Sequence, residues 1–112
     1  MRPLCRLTDI PDGGAKGFRA PPGGCIGLFA VRKGEQVCVY LNACPHLGVP
    51  LDWAPNRFLS QDGTRLICAM HGAEFRIGDG VCIAGPCLGD RLEGVMIQIK
   101  DGVLFVPEDA GL

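Results

Sequence analysis

Two short segments each combine a cysteine with a histidine, and together they hold the only two histidines of the chain. The first is Cys44-Pro-His46, and the second, Cys68-Ala-Met-His71, begins after 21 intervening residues. A thiolate and an imidazole on one tight loop can bind a metal, and two such loops supply four ligands. Four ligands of these types suit either one tetrahedral zinc ion or a two-iron cluster.

The mixed composition of each loop bears on this choice. Zinc fingers place Cys with Cys on a hairpin and His with His on a helix, whereas here each loop mixes the two types and no helical pattern follows. In a Rieske centre, two histidines replace two cysteines on one of the two irons. The pattern therefore favours a two-iron cluster, in which each loop gives one ligand to each of the two irons. A zinc-stabilised binding module, colourless and redox-silent, is the less favoured alternative.

Glycine and proline punctuate the chain. Seventeen Gly and nine Pro separate short apolar runs without a long helical period, which is typical of an all-β domain of short strands. Hairpins are predicted at residues 32–35, at residues 78–80 and at Asp101-Gly102, because Asp-Gly is a strong turn signal. The predicted strands span residues 3–7, 25–31, 36–41, 64–69, 74–77, 81–83, 95–100 and 103–106.

A length of 112 residues predicts a single domain over residues 1–112. The middle of the chain, about residues 42–88, holds both histidines and four of the seven cysteines. Loops that carry reactive residues between rigid strands are usually functional. We therefore expect a β base made from residues 1–41 and 89–112, with the middle of the chain forming a site-bearing lobe.

Charge and cysteine usage narrow the class of protein. The chain has 11 Lys and Arg against 12 Asp and Glu, so no basic surface suggests nucleic acid or an anionic membrane as a partner. The first residues contain no apolar stretch long enough for a signal peptide or a membrane span, which predicts a cytoplasmic protein. In that reducing compartment, seven cysteines favour metal ligation or buried thiols. Cys82 and Cys87 are interpreted as two buried thiols, with a disulfide or redox role as the alternative.

The sequence resembles the Rieske ferredoxins over nearly its whole length. The residues that carry the resemblance are the opening residues 4–14, the two loops Cys44-Pro-His-Leu-Gly48 and Cys68-Ala-Met-His-Gly72, and the later Gly85-Pro-Cys87. The resemblance implies an all-β Rieske iron–sulfur domain, in which an antiparallel β-sandwich base carries an inserted, loop-rich cluster-binding lobe.

The same resemblance implies one [2Fe-2S] cluster and its ligands. Cys44 and Cys68 would bind the iron that is held wholly by sulfur, and His46 and His71 would bind the outer iron. The Gly85-Pro86 segment would cover the cluster as a third loop.

The function implied is electron transfer without a substrate site, so the chain is expected not to be an enzyme. The implied partners are a flavin-containing reductase and an oxygenase or other oxidoreductase. The alternative is a small redox subunit of a multi-chain reductase, such as an assimilatory nitrite reductase. An oxygenase component would need a second iron site with two His and a carboxylate, but both histidines are already used. A docking surface is predicted at the apolar residues Leu47, Val49, Pro50 and Met70.

The sequence also departs from the family pattern. The gap between the two ligand loops is longer than in the smallest members, which predicts a surface excursion near the cluster within residues 52–63. Respiratory-complex Rieske proteins have a disulfide where this chain has Val49 and Met70, and they have Ser and Tyr hydroxyls where it has Ala73 and Phe75. Fewer hydrogen bonds to sulfur stabilise the reduced cluster less, so we predict a reduction potential of roughly −150 mV rather than about +300 mV.

Overall fold

The structure is a computed structural model that describes residues 1–45, 48–52, 54–69 and 72–111. Within these ranges the chain forms ten short antiparallel strands and a single 3₁₀ turn at Leu7–Asp9, which confirms the predicted all-β fold. The strands are β1 (Arg2–Arg6), β2 (Ala15–Phe18), β3 (Leu28–Lys33), β4 (Gln36–Leu41), β5 (Arg65–Ile67), β6 (Glu74–Arg76), β7 (Cys82–Ala84), β8 (Gly94–Val95), β9 (Gln98–Lys100) and β10 (Val103–Val106).

The three predicted hairpins are present. They join β3 to β4, β6 to β7 and β9 to β10. Asp101 and Gly102, between the last two strands, have φ angles of 53° and 75°. A two-residue hairpin of type I′ requires left-handed values at both positions, and Asp-Gly adopts them readily. This turn sets the register in which Val103 lies opposite Lys100.

The strands form three sheets, with the orders β1-β10-β9, β2-β3-β4-β8 and β5-β6-β7. The first two sheets use strands from the two ends of the chain, and the third uses strands between residues 65 and 84. This distribution of strands corresponds to the predicted division of the chain. That division, into a base of residues 1–41 and 89–112 and a lobe of about residues 42–88, stays a prediction.

The central strand β3 is buried on both faces. Leu28 and Ala30 lie in one core cluster, while Phe29 and Val31 lie in the other. Side chains of a strand alternate between the two faces of a sheet, so the second sheet is packed on both sides. The first cluster also contains Leu104 and Val106 of the first sheet, and the second cluster contains Leu66, Phe75 and Cys82 of the third sheet.

Two elements differ from the sequence prediction. β2, which was not predicted, has the sequence Ala-Lys-Gly-Phe, whose Lys and Gly hide any apolar alternation; it is a strand at the edge of the second sheet, paired only with β3. The predicted strand 95–100 is in fact two strands, because Val95 pairs with β4 whereas residues 98–100 pair with β10. The chain therefore crosses from the second sheet to the first between β8 and β9.

The long segment between the ligand loops has exposed residues, but it is also anchored to the second sheet. Phe58 is fully buried and stacks on Phe29, with ring centroids 4.5 Å apart and an interplanar angle of 11°. The side-chain oxygen of Asn56 accepts a hydrogen bond of 2.8 Å from the backbone N–H of Gly17 in β2. Phe58 is not part of a periodic apolar pattern, which is why the sequence predicted only a surface excursion here.

Candidate metal centre

The two cysteine loops are closed by the same pair of backbone hydrogen bonds. In the first loop, the N–H of Cys44 donates to the carbonyl of Val49 at 2.8 Å, and the N–H of Gly48 donates to the carbonyl of Cys44 at 2.6 Å. In the second loop, the N–H of Cys68 donates to the carbonyl of Ala73 at 2.9 Å, and its own carbonyl accepts from the residue four positions later at 3.1 Å. Each cysteine therefore begins a six-residue loop of the same construction.

A glycine at the fifth position of each loop makes this closure possible. Gly48 and Gly72 have φ angles of 72° and 68°, in the left-handed region that only glycine adopts without strain. A Cβ added to either residue would meet no atom within 4 Å. The backbone angle, rather than a lack of space, therefore explains the glycine at both positions.

The loops bring their cysteines into one buried place. Cys44 and Cys68 are both buried and belong to the same core cluster, and neither forms a disulfide. His46 and His71 lie outside the described residues. The structure thus brings together the two predicted sulfur ligands. Two buried sulfur donors on matching loops fit the sulfur-bound side of a Rieske cluster, which requires two thiolates.

A third loop contacts the second one closely. A Cβ at Gly85 would lie 2.7 Å from the Cα of Ala73, and Gly85 has a φ angle of 98°. Only a residue without a side chain allows this approach. The structure therefore places the Gly85-Pro86 turn directly against the loop that begins at Cys68.

Cys87, in this third loop, contacts two other cysteines. Its Sγ donates to the Sγ of Cys82 at 3.0 Å, and Cys44 lies near enough to contribute to its raised pKa. Burial raises the pKa of Cys87 to about 12, and the contacts with Cys82 and then Cys44 add to the shift. The thiol therefore stays protonated at neutral pH, beside the sulfur of a predicted ligand.

Sequence reasoning associated Cys87 with the covering loop but missed its contact with Cys44. The signal that was available is its position directly after Gly85-Pro86, the segment that was itself expected to lie over the site. Ala73 and Phe75 are buried near the second loop and have no side-chain donor, and the S–H of Cys87 is directed to Cys82.

The predicted docking surface is only partly described. Leu47 and Met70 lie outside the described residues, Val49 is half-buried against the core, and Pro50 is exposed. Leu88, which the sequence analysis did not single out, is 68% exposed and follows Cys87 on the third loop. Leu88 is therefore a further exposed apolar residue, on the loop that is expected to cover the cluster.

Comparison with known proteins gives a family. The sequence matches the family model for the Rieske [2Fe-2S] domain over residues 2–100. A search of curated proteins finds no match. Within the described residues, no helix has the length and apolar character needed to cross a lipid bilayer.

Solved structures share the fold. The complex of reduced oxygenase and oxidised ferredoxin in carbazole 1,9a-dioxygenase matches with a TM-score of 0.75 and 23% identity, covering 95% of this chain and 100% of that chain. The ferredoxin of Sphingomonas yanoikuyae B1 matches with a TM-score of 0.72 and 25% identity, covering 96% and 97%. The ferredoxin of carbazole 1,9a-dioxygenase from Nocardioides aromaticivorans IC177 matches with a TM-score of 0.72 and 20% identity, covering 95% and 97%.

Proposed function

This chain belongs to the Rieske [2Fe-2S] domain family, and on that basis we propose that it is a ferredoxin that carries single electrons between partner proteins. The observation that supports the proposal is the burial of Cys44 and Cys68 in one core cluster, on two loops of the same construction. A bound Rieske cluster supplies reversible one-electron chemistry. The chain itself holds the cluster, keeps water from its sulfur-bound side and presents a surface to the partner.

Four residues are assigned as ligands. Cys44 and Cys68 supply two thiolates from the interior, and His46 and His71 supply two imidazoles from the same loops. The histidine is the third residue of the first loop and the fourth residue of the second. This assignment extends the family pattern to the four positions that match it, and ligand variants test it.

The surroundings of the two cysteines favour a low reduction potential. Reduction adds negative charge to the cluster, and apolar neighbours such as Phe75 and Leu51, both fully buried, do not compensate for it. Hydrogen bonds to cluster or ligand sulfur stabilise the reduced form, and Ala73 and Phe75 provide none from their side chains. The S–H of Cys87 is a weak donor.

The proposed partners are an oxygenase as electron acceptor and a flavin-containing reductase as donor. The ferredoxin in the carbazole 1,9a-dioxygenase complex, to which this chain is similar, is bound to an oxygenase. In this role the chain is a carrier and has no substrate of its own. We place it in the cytoplasm, because seven thiols in 112 residues suit a reducing compartment.

The test is the spectrum of anaerobically purified protein, with iron and acid-labile sulfide counted. We expect a reddish-brown protein with two irons and, after dithionite reduction, an EPR signal of low average g. Cys44→Ala, Cys68→Ala, His46→Ala and His71→Ala should each abolish that signal. Cys25→Ala is the matched control, because Cys25 is exposed and outside both loops. A colourless protein with stoichiometric zinc would contradict the proposal.

Cell fractionation and co-purification test the remaining parts. Recovery with the cytoplasmic fraction, and capture of an oxygenase or a flavin reductase by the tagged protein, would support the proposed role. Stable co-purification with a large reductase subunit would indicate the alternative, a small redox subunit of a multi-chain enzyme.

A further inference from the structure

Three cysteine sulfurs lie together at the proposed metal centre, and the cluster uses only one of them. Cys87 contacts both Cys82 and the proposed ligand Cys44. Cys82 and Cys87 are only 1% and 3% exposed. Electron transfer through four ligands leaves these two buried thiols without a role.

Backbone hydrogen bonds hold the two thiols close to each other. The N–H of Cys82 donates to the carbonyl of Asp90 at 2.7 Å, and its carbonyl accepts from the N–H of Gly89 at 3.2 Å. The N–H of Asp90 donates to the carbonyl of Cys87 at 2.8 Å. These bonds close the five-residue separation between the cysteines and keep their sulfurs 3.0 Å apart. A disulfide bond is about 2.05 Å long, so the two sulfurs need to approach by only about 1 Å to form one.

We propose that Cys82 and Cys87 are a modification site that forms a reversible disulfide beside the cluster ligand Cys44, with a peroxide as the oxidant. A small uncharged oxidant suits two thiols that are almost fully buried. Cys87 pairs with Cys82 rather than with Cys44, because iron occupies the sulfur of Cys44 in the cluster-loaded protein. In this respect the inference rests on the proposed function.

The reaction balances in two steps. In the first, the sulfur of Cys82 attacks a peroxide oxygen as a thiolate, so that the O–O bond breaks and a sulfenic acid forms; with hydrogen peroxide, the released hydroxide and the proton lost by the thiol leave as one water. In the second, the other thiol attacks that sulfur, so that the S–S bond forms, the S–O bond breaks and a second water leaves. Two thiols lose two electrons, and one peroxide is reduced to two waters. A dithiol reductant reverses the modification by thiol–disulfide exchange.

Oxidation of the pair also changes the environment of the ligand. In the dithiol form, the side chain of Cys87 lies near Cys44 and its S–H is directed to Cys82. The disulfide removes both S–H groups from the surroundings of Cys44, so the reduced, more negative cluster loses two nearby polar groups and its reduction potential falls. The modification would thus lower the tendency of the protein to accept an electron.

The experiment is peptide mapping of the cluster-loaded protein after graded treatment with hydrogen peroxide. Protein is alkylated with iodoacetamide under denaturing conditions without reductant, and then digested with trypsin. Cleavage after Arg76 and Arg91 releases residues 77–91, whose only cysteines are Cys82 and Cys87. After peroxide treatment we expect this peptide to carry no alkyl group and to be lighter than the free dithiol peptide by two hydrogens. When dithiothreitol is added before alkylation, both cysteines should carry the alkyl group again.

Two mapping results would overturn the proposal. The first is full alkylation of both cysteines at peroxide doses that oxidise the exposed Cys25. The second is a cross-link from the peptide 77–91 to the peptide 34–57, whose cysteines are Cys38 and Cys44, because it would give one cysteine of the pair a different partner.

The effect on the cluster has its own control. The midpoint potential, measured by redox titration with EPR detection, should fall after peroxide treatment and recover with dithiothreitol. In Cys82→Ala this response should disappear, whereas it should persist in Cys38→Ala, which changes a half-buried cysteine of β4. An unchanged wild-type potential would overturn the link to Cys44. Visible absorption and an iron count are recorded in parallel, so that a protein without a cluster contradicts the proposed function while the mapping still tests the thiol pair.

Discussion

Gly85 and Gly89 have nearly the same positive φ angle for different reasons. Their φ angles are 98° and 92°. A Cβ at Gly85 would lie 2.7 Å from the Cα of Ala73, whereas a Cβ at Gly89 would meet nothing within 4 Å. Gly89 therefore serves the turn alone. Gly85 also sets how closely the third loop approaches the second cysteine loop.

Alanine substitutions of these two glycines give a matched prediction of stability. Gly89→Ala should destabilise the protein by about 1–3 kcal/mol through backbone strain alone. Gly85→Ala should cost about 1–3 kcal/mol more, because the two loops must also move apart. Urea unfolding gives both values, and the rate at which visible absorption is lost reports the exposure of the cluster. Equal effects of the two substitutions would show that the contact with Ala73 contributes nothing.

Features that depend only on neighbouring residues in the chain could be predicted from the sequence. Gly48 and Gly72 lie within the two loop motifs themselves, and Cys44 and Cys68, which the sequence predicts as ligands, lie in one buried core cluster. The contact between Cys87 and Cys44 could not be predicted in this way. It joins residues 43 positions apart and depends on how the third loop packs on the others.

At the level of elements, turns were predicted more accurately than strands. The Asp101-Gly102 turn has its own chemical signature, so its hairpin was predicted correctly. β2 is a short strand that pairs only with β3, and its Lys16 and Gly17 mask the apolar pattern. The division of residues 95–100 between two sheets depends on tertiary pairing, because the sequence there has no Gly or Pro to mark a break.

Asn56 links the segment between the cysteine loops to β2, and its role can be tested. It has a φ angle of 62° and accepts a hydrogen bond from Gly17. Asn56→Ala removes the acceptor and strains the backbone, so we expect a loss of about 1–3 kcal/mol in the free energy of unfolding. Asn56→Asp retains an acceptor and tolerates this conformation, and should remain close to wild type in urea unfolding. Equal stabilities of the Ala and Asp variants would contradict this role.

The turn at residues 60–64 predicts a pH dependence. Asp62 accepts hydrogen bonds from the hydroxyl of Ser60 and from the hydroxyl and N–H of Thr64, which lower its pKa from 3.8 to about 2. Because the folded pKa is lower, the carboxylate stabilises the fold above its unfolded pKa, and this contribution is lost as the pH falls through about 2.

Asp62→Asn should therefore be less stable than wild type at neutral pH, and the difference should shrink as the pH falls from about 4 to about 2. Urea unfolding of both proteins at several pH values measures it. A difference that is the same at every pH would mean that the charge of Asp62 has no part in the stability of the turn.

For the whole molecule, the prediction concerns the cluster potential. An apolar interior around Cys44 and Cys68 and the absence of hydroxyls at Ala73 and Phe75 lead us to expect a midpoint of roughly −150 mV at neutral pH. The midpoint should fall as the pH rises through the ionisation of the ligand imidazoles, because proton loss favours the oxidised cluster. Equilibrium redox titration at several pH values measures both. A clearly positive midpoint at neutral pH would contradict the prediction.

The burial of β3 on both faces also affects how the molecule opens. Amide hydrogens exchange with solvent through local or global openings, and the slowest ones report global unfolding. β3 pairs with β2 and β4, and its side chains Phe29 and Ala30 lie in different cores, so its amides become accessible only when the sheet opens and the packing on both faces is lost. Hydrogen exchange in this strand should therefore match the global free energy of unfolding, and a change at the metal centre that stabilises the fold should slow exchange on the far side of the sheet as well.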